Sequence, residues 1–166
     1  VLAMRDNDAA WIGQFPMTKA AVRAMDAADA FTRELASGTS EGANGATAKP
    51  LIDGYFVAGG SKRGWTTWLT AATGDARVRA IAPTVIDMLN MPAHTPHHFA
   101  SYGFWAPALR DYVNNGIAEK FGTPALNRVI AHVDPIGYVP AIGTMPTFLM
   151  HAGGDEFFPT DSARHY

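Results

Sequence analysis

A single run of the chain, residues 51–73, encodes an apolar strand, a glycine-rich turn and a helix in direct succession. We predict the strand at residues 55–59, where aromatic and β-branched side chains are concentrated. The helix is predicted at residues 62–72, because apolar side chains recur there at helical spacing. Ser61 follows two glycines between the two elements. The sequence therefore places a serine at the tip of a strand-to-helix turn.

A serine in this position is typical of a nucleophile elbow, in which a strained turn presents the hydroxyl and the helix N-terminus directs backbone N–H groups toward a developing oxyanion. The usual pattern is G-x-S-x-G, whereas the fifth position here is Arg63 and the glycine is displaced to Gly64. A serine after two glycines is also common as a turn residue or a helix N-cap. The residues alone leave Ser61 open between these roles.

Strands and helices alternate along the rest of the chain. The further predictions are a helix at residues 17–36, a surface loop at 37–49, a strand at 78–86, an irregular segment at 91–98, a helix at 104–117 and a short strand at 146–150. Because each strand is a continuous apolar run, we expect an α/β fold with a parallel sheet and helices on both faces. Function gathers at the carboxyl ends of such strands, and Ser61, Asp87 and Asp155 follow three of them.

Composition narrows the class of protein. The chain has 166 residues with a net charge of −2 and no basic stripe, which argues against a nucleic-acid partner. No apolar run is long enough to span a membrane, and the absence of cysteine excludes disulfide and thiolate chemistry. We expect a single domain over residues 1–166. We also expect it to be a fragment, because Val1 is not a natural start and Tyr166 ends the chain inside a predicted helix.

Several long motifs occur in an order that resembles a known family. They are PMTKAAVRAMDA, GGSKRGWTTWLTAA, VRAIAPTVIDMLNM, HHFASYGFWAPALRDYV and GGDEFFPTDSARHY. Together they resemble the PhoPQ-activated pathogenicity-related family, which belongs to the α/β-hydrolase superfamily. The S-K-R-G turn is also similar to the S-R-x-G elbow of glucuronoyl esterases. The resemblance implies a partial α/β-hydrolase domain that lacks N- and C-terminal parts of the fold, and it suggests a periplasmic or secreted protein, although the residues leave the compartment open.

The resemblance implies Ser61 as the nucleophile and Asp155 as the triad acid. The chain order in such hydrolases is Ser, then Asp or Glu, then His, so the catalytic His is expected beyond Tyr166. The strand whose loop completes the oxyanion hole is expected before Val1. Asp87 is the rival acid, since it too ends a strand. The alternatives are that Asp155 is a turn aspartate and that Asp87 is a helix cap.

Other residues complete the predicted site. Lys62 follows the serine and supplies the N–H in the usual oxyanion position, with Gly60 and Arg63 beside it. Lys62 and Arg63 have a plain alternative as an exposed charged pair. We predict that His97 and Trp105 lie at the substrate pocket, although most aromatic residues are expected to pack in the core.

The histidines offer two further roles, neither of them strongly indicated by the residues. His94 and His97 have a spacing seen in metal sites, but no cysteine or carboxylate cluster accompanies them, so no metal or other cofactor is expected. His165 is a possible substitute base, while His132 and His151 are expected to be structural.

Three functional hypotheses remain. The first is a serine esterase acting on a small-molecule ester through Ser61. The second is a non-catalytic hydrolase-like binding or signalling protein. The third is an incomplete piece whose site is restored by partner segments. The sequence leaves the substrate and the oligomeric state open.

Overall fold

The computed structural model describes residues 2–38 and 51–166. The helices are α1 (Leu2–Asp6), α2 (Gln14–Gly38), α3 (Lys62–Ala72), α4 (Met91–Tyr102), α5 (Arg110–Asn114), α6 (Pro124–Val133) and α7 (Val139–Ile142), and the strands are β1 (Tyr55–Gly60) and β2 (Val78–Thr84). Short 3-10 turns lie at Ala9–Trp11, Pro107–Leu109, Ala118–Lys120, Pro135–Tyr138 and Ser162–His165. Most of the loop predicted at residues 37–49 lies outside the described residues, and its first two residues belong to α2.

The sheet is parallel, as predicted. β1 pairs with β2 so that Val57 lies beside Ile81 and Gly60 beside Thr84. A third segment joins the far edge of β2 through parallel bridges from Ile81 to Thr147 and from Thr84 to Met150. The strand predicted at residues 146–150 therefore runs in the expected direction but pairs only at these isolated bridges.

The core lies between this sheet and the helices on one of its faces. α3 crosses from the end of β1 to the start of β2 and buries Trp68 and Ala71 against Ile81, which is fully buried. Met25 of α2 joins the same cluster. Burial of these apolar side chains is the main term that favours folding, and it holds α3 against the strand that precedes it.

The other sheet face differs from the prediction of helices on both sides. The register places Phe56 and Phe148 on that face, and they are 63% and 60% exposed. Among the described residues, α3 makes the main helix contacts with both strands, and it lies on the face of Val57 and Ile81. The prediction is thus met on one face of the sheet within the described chain.

Arg77 ties α2 to the sheet. Its guanidinium forms ion pairs with Asp26 and Asp29 of α2 and with Asp75, at 2.9, 2.8 and 2.7 Å. The pKa of each carboxyl is lowered: chiefly by the hydrogen bond from Arg77 for Asp75, but by that from Arg23 and then Arg77 for Asp26, and by that from the Tyr55 hydroxyl and then Arg77 for Asp29. One arginine therefore fixes a long helix against the start of β2.

The segment after β2 departs most from the prediction. Residues 91–98 were predicted to be irregular, yet they begin α4. The carboxylate of Asp134 accepts hydrogen bonds from the N–H groups of Asn90 and Met91, at 3.0 and 2.7 Å. This caps a helix that Pro96, in its interior, would otherwise disfavour, since the first N–H groups of a helix have no partner within it.

The region around residues 104–117 is also different. The predicted helix is reduced to a 3-10 turn at Pro107–Leu109 and the five-residue α5. Gly116, two residues after α5, adopts a left-handed conformation. Conversely, α6 was not predicted, and Thr123 caps it by accepting from the Leu126 N–H. In the described part of the chain, no helix is both long enough and apolar enough to cross a membrane.

Candidate active site

Ser61 lies in a strained conformation between β1 and α3. Its φ of 53° and ψ of −128° place a non-glycine residue in the positive-φ region, where the Cβ crowds the backbone. The Ser61 N–H donates to the carbonyl of Thr84 at 2.9 Å, and the Ser61 carbonyl accepts from the Trp65 N–H at 3.0 Å. The sheet on one side and the helix on the other therefore hold the strained turn in place.

Two glycines allow the helix to approach the strand this closely. A Cβ at Gly64 would lie 2.8 Å from the Gly59 carbonyl oxygen and 3.1 Å from that of Thr84. A Cβ at Gly59 would lie 2.6 Å from the Arg63 carbonyl oxygen. The common elbow pattern has a glycine two residues after the serine. Here the glycine is one residue later, because a side chain at position 64 would collide with the strands, whereas the Arg63 side chain is exposed.

The Ser61 hydroxyl is not used as a helix cap. Ser61 occupies the N-cap position of α3, but its side chain makes no capping hydrogen bond. The residue is exposed, and no described residue forms a hydrogen bond with its Oγ. The alternative of a capping serine is therefore wrong in this structure, and the hydroxyl is free to meet a ligand.

A cavity of about 440 Å³ opens beside Ser61 and Lys62. Aromatic side chains form much of its lining, namely Trp65, Trp105, Tyr112, Phe121, Phe157 and Phe158. The exposed residues Ser61, Lys62 and Asp111 give it a polar rim. Cavities of this size and character are typical of small-molecule sites.

The predicted site residues fall into two groups. Ser61, Lys62 and Trp105 line the cavity, whereas Gly60 and Arg63 belong to the turn without lining it. His97 lies outside the lining and is held by other groups. Arg164 donates to its Nδ1 at 2.8 Å, which leaves Nε2–H to donate to Asp161 at 2.7 Å. This arrangement lowers the pKa of the Asp161 carboxyl through the hydrogen bond from His97.

His98, like His94, lines the cavity. The Ala106 N–H donates to its Nε2 at 3.2 Å, so its Nδ1–H donates to the Phe157 carbonyl at 3.1 Å. Burial lowers the pKa of His98, which favours this neutral form. Its ring stacks on Trp105 with a centroid distance of 5.7 Å. His98 is thus committed to shaping the wall.

Asp155 has contacts that shape its loop. One carboxylate oxygen accepts from the N–H groups of Phe157 and Phe158, at 2.7 and 3.1 Å, and the backbone carbonyl accepts from the Tyr102 hydroxyl. The other carboxylate oxygen has no hydrogen-bond partner among the described residues. The contacts turn the chain after the third strand segment so that both phenylalanines reach the cavity. The triad role of Asp155 stays a prediction.

Asp87, the rival acid, belongs to a buried polar cluster. It is 1% exposed, its buried Oδ1 has no hydrogen-bond partner among the described residues, and His94 Nε2 lies 3.9 Å from Oδ1. Burial, aided by the Asp87 charge, raises the pKa of Tyr166, and burial lowers that of His94. Asp134, not Asp87, caps the following helix.

His165 closes the same cluster. Its ring packs edge-on against His94 and His97 at centroid distances of 5.0 and 4.9 Å, and its buried Nε2 has no hydrogen-bond partner among the described residues. Within residues 2–38 and 51–166, no group of three or more His, Cys, Asp or Glu side chains is arranged to hold a metal ion.

Comparison with known proteins places the chain in a family. A model of the PhoPQ-activated pathogenicity-related protein family matches residues 2–166, so the chain belongs to that family. The chain is also 38% identical, over 156 residues, to Autocrine proliferation repressor protein A of Dictyostelium discoideum. That match covers 94% of this chain but 28% of the relative, so the chain spans under a third of that protein. No solved structure matches the chain significantly.

Proposed function

We propose that this chain carries the nucleophile of a serine hydrolase of the α/β-hydrolase type, acting on a carboxylic ester of a small molecule. The observation that carries the proposal is Ser61 itself. Its backbone is strained at a strand-to-helix junction, yet its hydroxyl neither caps the helix nor bonds elsewhere in the described chain. Strain that serves no structural contact is characteristic of functional positions.

In the proposed reaction, Ser61 Oγ attacks the ester carbonyl and its proton passes to a histidine base. The carbonyl oxygen becomes an oxyanion, to which we propose that the Lys62 N–H, in the first turn of α3, donates a hydrogen bond. Collapse of this intermediate expels the alcohol, which takes the proton from the histidine. Water then attacks the acyl-enzyme, releases the acid and restores the serine.

The base and the acid of the triad are assigned by chain order. In this family of folds the acid precedes the histidine, so we propose Asp155 as the acid and a histidine later in the full-length protein as the base. One Asp155 carboxylate oxygen has no hydrogen-bond partner among residues 2–38 and 51–166, which supports this choice. Asp87, the rival acid, is buried and lies outside the cavity lining, whereas His94, whose Nε2 is 3.9 Å from its carboxylate, contributes to that lining.

A second candidate function is a non-catalytic, secreted binding or signalling role on the same fold. The observation that favours it is the similarity to the Dictyostelium relative, whose name describes an autocrine repressor of proliferation. In that case the cavity binds a ligand without cleaving it, and Ser61 occupies the nucleophile position without acting as a nucleophile.

Ester turnover by Ser61→Ala separates the two candidates. We expect the variant of the full-length protein to lose activity on a p-nitrophenyl ester by about a thousandfold or more, because the nucleophile is gone. Ser101→Ala, at another exposed serine, is the matched control and should retain full activity. Equal turnover by wild type and Ser61→Ala, or no turnover by either, would contradict the proposal.

A further inference from the structure

We infer that the cavity beside Ser61 selects an ester that carries an aromatic ring, with Trp105 as the principal contact. The inference rests on the proposed function only in taking Ser61 as the position of the ester bond. Binding of the ring is a property of the cavity walls and does not require catalysis.

Four aromatic rings lie in the half-buried part of the lining, Gln14, Ile86, His94 and His98 lie in its fully buried part, and exposed polar side chains lie at its rim. Trp65, Trp105, Phe121 and Phe158 are half-buried around the 440 Å³ space, while Ser61 and Lys62 are exposed at its rim. Such a gradient suits a ligand with one flat apolar end and one polar end. An ester linked to an aromatic ring has this form, with the ring inside and the carbonyl beside Ser61.

The ring of Trp105 is held in place before any ligand arrives. His98 stacks on it at an interplanar angle of 16°, and Phe121 lies 6.0 Å from it at 30°. His98 is in turn fixed by its hydrogen bonds with Ala106 and Phe157. A wall that is already ordered loses little conformational entropy when a ligand binds. Favourable contacts between the ligand ring and Trp105 therefore increase the affinity.

Aromatic contacts distinguish a ring from an alkyl chain of similar size. Offset-stacked and edge-to-face pairs gain free energy beyond the apolar area that they bury, and each pair corresponds to about a two- to tenfold gain in affinity. Trp105, Phe121 and Phe158 belong to different segments of the chain and line the same space. A ring that contacts two of them gains about tenfold over an aliphatic chain.

The test is calorimetric binding to the Ser61→Ala variant of the full-length protein, which prevents turnover. The two ligands are methyl 3-phenylpropanoate and methyl hexanoate. We expect the aromatic ester to bind about tenfold more tightly, and we expect Trp105→Leu in the same background to abolish that preference. Phe104→Leu is the matched control, because Phe104 is 55% exposed and lies outside the lining.

A second variant protects the test against misfolding of Trp105→Leu. Tyr112 lines the cavity but is 46% exposed, so Tyr112→Ala should fold normally and still weaken the aromatic ester selectively. Equal affinities, tighter binding of methyl hexanoate, or an unchanged preference in both variants would overturn the inference. If the wild-type protein shows no ester turnover, the proposed function is wrong but this inference can still hold. If Ser61→Ala binds the two esters equally, this inference is wrong but the proposed function can still hold.

Discussion

At the scale of single residues, the sequence was most informative where a local rule governs the geometry. Two glycines beside a serine predicted the strained turn at Ser61, and the structure has it at φ 53°. The role of Gly64 was less clear from sequence, since the common pattern has its glycine at position 63. Only the packed structure shows that a Cβ at position 64 would lie against the Gly59 carbonyl oxygen, whereas the side chain at position 63 is exposed.

Gly64→Ala should destabilise the fold by about 1–3 kcal/mol, as overpacking does. The added methyl would lie 2.8 Å from the Gly59 oxygen and 3.1 Å from the Thr84 oxygen, both backbone atoms of the sheet. Urea denaturation measures the change in the free energy of unfolding. Gly153→Ala, where a Cβ meets nothing within 4 Å, is the control and should change little. An equal effect of the two substitutions would contradict the close packing of helix and strand.

At the scale of elements, local periodicity predicted α2, α3 and the two strands, because each carries its own apolar pattern. α4 could not be predicted in this way. Its cap comes from Asp134, 43 residues beyond Met91 along the chain, and Pro96 in its interior argues against a helix. The helix predicted at residues 104–117 is broken locally, since Ala106, which precedes Pro107, is extended with ψ at 146°, and Gly116 adopts a positive φ of 62° after α5.

Asp134→Ala should destabilise the protein by about 1–3 kcal/mol, because it leaves buried N–H groups without a partner. The carboxylate is 3% exposed and also accepts from the Ile136 N–H at 3.0 Å. Since α4 carries His98, binding at the cavity should weaken as well. The control is Asp8→Ala, which removes an exposed cap of a 3-10 turn. If thermal melting shows the same small change for both, the capping role of Asp134 is wrong.

At the scale of the whole molecule, the sequence predicted a parallel α/β arrangement but not how its parts meet. The cavity is built by side chains from α3, α4, the segment around Trp105 and the loop after Asp155. These are far apart in sequence, so no local pattern could reveal that they share one space. Phe56 and Phe148, expected beneath helices, are exposed on the second sheet face.

Stability should fall as the pH drops from 7 to 5. Burial lowers the pKa of both His94 and His98 below the unfolded value of about 6.5. The unfolded chain therefore binds more protons in this window, and by linkage the folded state loses stability as the pH falls. Melting temperatures across this range measure the slope.

His98→Gln should flatten that slope, whereas His132→Gln, at an exposed position, should not. The pKa values of the Asp26, Asp29 and Asp75 carboxyls are also lowered in the folded state. Their contribution to stability is lost only below this pH window, where carboxyls become protonated. A profile that is flat between pH 7 and 5 in the wild type would show that the buried histidines do not resist protonation.

The most direct test of Ser61 as the nucleophile is covalent labelling of the full-length protein with a fluorophosphonate, followed by peptide mass spectrometry. An activated serine attacks phosphorus and keeps the adduct, whereas an ordinary hydroxyl does not react. We predict one adduct on the peptide that contains Ser61. The adduct should not form when the protein is heat-denatured before the probe is added. It should be absent in Ser61→Ala and present in Ser101→Ala. A folded wild-type protein that stays unlabelled, or that is labelled equally in Ser61→Ala, would contradict the assignment.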